Sequence, residues 1–134
     1  MEFNLEQGLI GRAAVTVAED KTAVAYGSGG IEVFATPAMI GLMENAALTA
    51  VDAHLPEGWS TVGTRLDVRH MAATPKGMRV YAEARLVETK GKRLVFEVAA
   101  YDDDERIGEG IHERFIVNKE SFMKKTEEKK ERQT

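Results

Sequence analysis

Three side chains of this 134-residue chain are suited to acid–base work: Glu44, His70 and Thr36. Glu44 has Ile40, Ala47, Leu48 and Val51 as neighbours at helical spacing, so a helix there carries its carboxylate along an apolar face where an ionised group loses hydration. Such a group needs a partner or a task, although a helix rotated to bring Glu44 to water at a rim fits the spacing equally well. His70 ends an alternating row, and an imidazole there can hold a water or relay a proton near neutral pH. A hydrogen-bonded structural histidine is the plainer reading of the same position. Thr36 stands before Pro37, and as an N-cap its hydroxyl accepts from a first-turn amide while Pro37 follows without needing its missing N–H.

Other chemistries fall away. Cysteine is absent, which removes disulfides, thiolate metal sites and a cysteine nucleophile. Gly27-Ser28-Gly29-Gly30 lacks the Lys and Ser/Thr of a phosphate-cradling loop and does not match the Gly-x-Ser-x-Gly elbow, so it reads as a turn. Asp102-Asp103-Asp104-Glu105 lacks calcium-loop spacing and reads as a solvated turn, and no metal site is expected. A net charge of −4 gives no basic footprint for nucleic acid. No apolar run approaches a bilayer-spanning length, and Met1 to Glu6 has no basic segment leading into an apolar one, so a cytoplasmic protein without a membrane partner is expected.

The elements that must position these residues can be read in order. Ala14 to Val17 and Ala23 to Tyr26, separated by the polar Glu19-Asp20-Lys21, suggest a first hairpin. From Val33 to Val51 apolar residues occupy nearly every side, the pattern of a helix covered on most faces, stopped near Asp52 to Pro56. From Thr61 the alternation places Val62, Thr64, Leu66, Val68 and His70 on one face and Gly63, Arg65, Asp67 and Arg69 on the other. Met78 to Leu86 and Leu94 to Ala100 alternate as a long hairpin closed at Lys90-Gly91-Lys92. A last strand through Ile107 to Val117 puts His112 and Arg114 on one face and Ile111, Phe115 and Val117 on the other. The plan is α+β, an antiparallel sheet wrapped around one long central helix. Residues 1–118 form one domain, and 119–134 form a charged tail expected to be a frayed helix or disordered.

Val33-Phe34-Ala35-Thr36-Pro37 with Met43-Glu44, Val62-Gly63-Thr64 leading to Val68-Arg69-His70, and Gly108-Glu109-Gly110-Ile111-His112-Glu113-Arg114-Phe115 resemble the hot-dog fold acyl-CoA thioesterases, in particular the fluoroacetyl-CoA thioesterase-like group. The likeness covers about Gly8 to Val117. It implies a hot-dog fold and a catalytic set of Thr36, Glu44 and His70. It also implies contacts to a thioester substrate from Gly63 and Arg114, an acyl-CoA as the small-molecule partner, and a homodimer or dimer of dimers. No cofactor is implied, CoA being part of the substrate.

Thioester hydrolysis needs an activated water or a carboxylate nucleophile, a donor to the developing oxyanion and a path for the proton. Glu44 can act as general base on water or attack the carbonyl to form an anhydride, with His70 relaying a proton. A backbone amide near Gly63, where no Cβ intrudes, can approach the oxyanion. The alternative is a module that binds or senses acyl-CoA without turnover. Thr36 and Glu44 are eight residues apart, roughly 12 Å of helical rise, too far for a direct hydrogen bond. Either they touch different parts of the substrate, or Thr36 of one subunit meets Glu44 or His70 of another across a two-fold axis.

Overall fold

The computed structural model describes residues 3–133. Met1, Glu2 and Thr134, at the outer ends of the expected domain and tail, lie outside the described residues. Five antiparallel strands form one sheet: β1 (Ile10–Thr16), β2 (Trp59–His70), β3 (Arg79–Lys90), β4 (Arg93–Asp102) and β5 (Arg106–Asn118), in spatial order β1-β3-β4-β5-β2. The sheet curls around a central helix. The short α1 (Ala23–Tyr26) precedes that helix, α2 (Thr36–Val51), and α3 (Lys119–Glu131) follows the last strand.

The core lies between α2 and the concave face of the sheet. Met39, Met43, Ala46, Ala47 and Val51 of α2 are buried against Val80, Ala82, Ala84 and Leu86 of β3 and Leu94, Phe96 and Val98 of β4. These strand residues are the alternating row expected of a half-buried sheet. Small residues let the helix lie close: a Cβ at Gly11 of β1 would run into the backbone of Ala46 and Ala50. The covering is narrower than the apolar pattern suggests: seven of the sixteen α2 residues are buried, while Pro37, Gly41, Asn45 and Thr49 form an exposed stripe at helical spacing.

Four local expectations are corrected. Ala14 to Tyr26 makes no hairpin: β1 pairs with β3, and Ala23–Tyr26 winds into a helical turn whose first amides are capped by Thr22, its hydroxyl accepting from Ala25 N–H at 3.2 Å. Thr36 is not the N-cap of α2. Ala35 holds that place without a side-chain cap, and Thr36 is the first helical residue with its hydroxyl engaged by His70. The turn after β4 is not wholly solvated, because Asp102 is buried and accepts from Thr74 Oγ1, Asp104 N–H and Glu105 N–H at 2.8, 2.8 and 2.9 Å. Burial pushes the Asp102 carboxyl up, and these three bonds together overcome it and hold it below the usual range.

The fourth correction concerns β2. Gly63 pairs with Arg114 and Arg65 with Glu113, so Thr64 is an extra residue, a β-bulge. The bulge reverses the alternation at that point. Thr61 and Gly63 therefore share the helix-facing side with Leu66, Val68 and His70, whose cross-strand partners are His112, Gly110 and Gly108. At the chain's end, Asn118 caps α3 by accepting from Ser121 N–H at 3.0 Å, and none of that helix is buried.

Candidate active site

Two clusters form on the concave side, one at each end of the stretch between Gly63 and His70. At the first turn of α2, Thr36 Oγ1 and His70 Nδ1 are 2.7 Å apart. Thr36 opens the helix and β2 ends at His70, so the bond joins the beginning of one element to the end of another. The other ring nitrogen, Nε2, is buried and makes no hydrogen bond among the described residues. Burial lowers the His70 pKa, and the Ala72 backbone opposes this. Beside the pair is a cavity of ≈ 210 Å³, walled by Val33, Phe34, Ala72 and Ala73 as well as by Thr36 and His70.

Glu44 lies two helical turns further on, at a rim rather than in the interior, with 40% of its side chain exposed. Its carboxylate rests directly over β2: a Cβ on Gly63 would be 2.8 Å from Glu44 Oε2, 3.2 Å from His112 Cε1 and 3.5 Å from Arg114 Nη1. The bare position thus makes room for the carboxylate. Arg114 reaches from β5 with its Nη1 3.9 Å from Glu44 Oε2. It is buried and held at a fixed angle, donating from Nε to Thr61 Oγ1 at 2.7 Å and from Nη2 to the Thr61 carbonyl at 2.9 Å. Burial lowers its pKa, Glu44 and Asp52 oppose this, and the guanidinium stays charged.

Of the five residues singled out in the sequence, Thr36 and His70 meet in one cluster and Glu44, Gly63 and Arg114 in the other. Thr36 meets His70 of its own chain, so this pair needs no second subunit to form. Glu44 and His70 do not meet. Roughly 12 Å of helix and roughly 20 Å of strand separate the clusters. Sequence reasoning passed over Thr61 and His112, both packed against Arg114. The alternation of β5 did place His112 beside Arg114, and the bulge hid Thr61. Among the described residues no cluster of three or more His, Asp or Glu could hold a metal, and no helix is long and apolar enough to cross a membrane.

The chain matches the family model described as fluoroacetyl-CoA-specific thioesterase over residues 17–120. It is 43% identical over 98 residues, 73% of this chain and 70% of the relative, to the fluoroacetyl-CoA thioesterase of Streptantibioticus cattleyicolor. Among solved structures it is similar to a fluoroacetyl-CoA thioesterase with a TM-score of 0.88 and 36% identity, covering 94% of this chain and 98% of that one. A thioesterase superfamily member from Thermus thermophilus superposes with a TM-score of 0.87 at 30% identity, covering 95% and 94% of the two chains. A hot-dog-like protein from Thermanaerovibrio acidaminovorans gives 0.85 at 27% identity, covering 96% and 97%. With its five-stranded sheet curled around α2, the chain has the hot-dog fold and belongs to the fluoroacetyl-CoA-specific thioesterase family of thioester hydrolases.

Proposed function

We propose that the chain hydrolyses short acyl-CoA thioesters, fluoroacetyl-CoA and acetyl-CoA among the candidates, to the free acid and CoA. Glu44 acts on the thioester carbonyl and the Thr36–His70 pair assists. The observation that carries this reading is the Glu44 carboxylate lying over the side-chain-free Gly63 with the fixed Arg114 guanidinium beside it. As base, Glu44 takes the proton from a water that attacks the carbonyl. As nucleophile, it forms an acyl anhydride that water then opens. Either way the tetrahedral oxyanion collapses by breaking the C–S bond, and the departing thiolate takes up a proton. The Thr36 hydroxyl and the free nitrogen of His70 are the groups suited to the oxyanion and to that proton.

The separation of the clusters supports a site completed by a second copy. Strand β2 is a free edge of 12 residues, and such an edge offers unpaired backbone groups to another strand. A two-fold axis at Asp67 would set Leu66 against Val68 and Arg65 against Arg69. With Thr64 counted as the bulge residue, Gly63 then falls opposite His70 of the partner subunit. Each residue would face the same side as its mate, and the Thr36–His70 pair of one chain would close over Glu44 of the other.

A panel of acyl-CoA thioesters with free-thiol detection tests the activity. The wild-type chain should release CoA, and Glu44→Gln should lower kcat by about a hundredfold or more with the fold intact. Saturable binding of acyl-CoA without thiol release from the wild type would replace the hydrolase by a binding module. Single turnover in heavy-oxygen water separates the two routes, since an anhydride opened at the enzyme carbonyl leaves the label in Glu44.

A further inference from the structure

His112 is fully buried at the centre of β5, with no part yet in the chemistry. Its ring lies against Phe96 of β4, centroids 6.2 Å apart. Its Nδ1 is 2.8 Å from the Arg65 carbonyl oxygen, beside the Thr64 bulge, and its Nε2 is 3.1 Å from Arg114 Nη1. These neighbours fix the ring's state by elimination. A carbonyl can only accept, so Nδ1 carries the proton; a guanidinium can only donate, so Nε2 offers its lone pair. The imidazole is neutral, with one nitrogen tied to the edge strand and the other gripping the arginine.

We propose that His112 is a positioning residue: as a neutral imidazole it holds Nη1 of Arg114 and so aims the guanidinium at the space over Gly63 that the Glu44 carboxylate occupies. Thr61 fixes Nε and Nη2 of the guanidinium, and His112 supplies the remaining hold, on the nitrogen nearest Glu44. A protonated ring would turn a second donor on Arg114 Nη1 and break the contact. The surroundings favour the neutral form: burial first, then the Arg114 charge, lower the His112 pKa against the opposing influence of the Arg65 carbonyl, Glu44 of α2 and Glu113 of β5. Phe96 of β4 adds no charge.

The inference rests on the proposed site in giving Glu44 its role, and its test has one readout that needs no turnover. In arginine-labelled full-length protein, solvent exchange of the Arg114 Nη1 protons should be slow in the wild type and in His112→Gln, whose longer amide keeps an acceptor for Nη1. It should be about tenfold faster or more in His112→Phe, which keeps an aromatic ring but has no ring nitrogen, and in His112→Asn, whose amide reaches only as far as Nδ1. In acyl-CoA hydrolysis, His112→Asn and His112→Phe should lower kcat by about tenfold or more, while His112→Gln stays within about threefold of the wild type. Introduced into Arg114→Met, His112→Asn should change kcat by less than about twofold, because there is no guanidinium left to aim. Unchanged Nη1 exchange in His112→Asn, or an equal loss of kcat with and without Arg114, overturns the proposal. A wild type that hydrolyses no acyl-CoA, with Nη1 exchange still released by His112→Asn, overturns the thioesterase reading and leaves the positioning of Arg114 supported.

Discussion

At Gly63 the absence of one methyl group decides where the Glu44 carboxylate rests. An added Cβ would press on Glu44 Oε2, which has water to swing into, and would come within 3.2 Å of Cε1 of the His112 ring, which its two hydrogen bonds hold in place. Gly63→Ala should therefore fold, with a urea midpoint shifted by the equivalent of about 1 kcal/mol or less, and lose about tenfold or more in kcat as the carboxylate leaves its place. Equal activity in the two proteins would mean that the position over Gly63 is not where Glu44 works. His70 gives a second prediction. Its folded pKa is lowered, so the neutral ring is the folded form, and its contribution to stability is whole above about pH 6.5 and lost as pH falls through the folded value. The same protonation should remove the lone pair that relays the proton, so kcat/KM should fall on the acid side over that window, and His70→Asn should lose that limb. An acid limb in the wild type beginning above about pH 7 would contradict the assignment. The sequence marks Thr36, Glu44 and His70 by type and surroundings. It could not say that the Thr36 hydroxyl bonds the imidazole instead of a helix amide, because that choice depends on where β2 ends, 34 residues away.

Between elements, the contact that sets the depth of α2 is the one at Gly11 of β1. A Cβ there would meet Ala46 and Ala50 through backbone atoms, which cannot rotate aside as a side chain would. Gly11→Ala should push the helix outward and cost about 3 kcal/mol, read as a lower urea midpoint at an unchanged m-value. A loss below about 0.5 kcal/mol would show that the helix has slack against β1. Alternation alone placed the buried rows of β3 and β4 correctly, since a half-buried strand repeats every two residues. It failed in β2 for the same reason: the bulge at Thr64 adds one residue, and everything before it changes face. In β5 the hydropathy of the two rows points the wrong way, because the buried row contains His112 and Arg114 while Phe115 is exposed on the outer face. Those polar groups are tolerated inside because the Arg65 carbonyl and Thr61 satisfy them, partners that become visible only once β2 lies beside β5. The first hairpin was misread because β1 takes its partner from β3, more than 60 residues on in the chain, and not from the next apolar run.

For the whole molecule the question is which copy of Thr36 and His70 serves a given Glu44. Eight residues of helix already argue in the sequence that Thr36 and Glu44 do not bond directly, and the structure adds His70 to the Thr36 side. If the site is shared across β2, a subunit carrying Glu44→Ala and a subunit carrying Thr36→Ala are each inactive as homodimers. A heterodimer of the two then has one site with both lesions and one with neither. Refolding equal amounts together should give half heterodimers with one sound site of two, about a quarter of the wild-type activity per subunit. Sites confined to one chain would give none above the inactive parents, since every site would keep a lesion. The control is a single subunit carrying both substitutions, mixed with the wild type. Under the shared arrangement its heterodimers place one lesion in each site and fall silent, so the mixture should also show about a quarter of the wild-type activity rather than the half expected of independent chains. Agreement of the two mixtures fixes Glu44 and Thr36–His70 on opposite sides of the two-fold axis, whereas no recovery in the first mixture together with half of the wild-type activity in the second returns the whole reaction to a single chain.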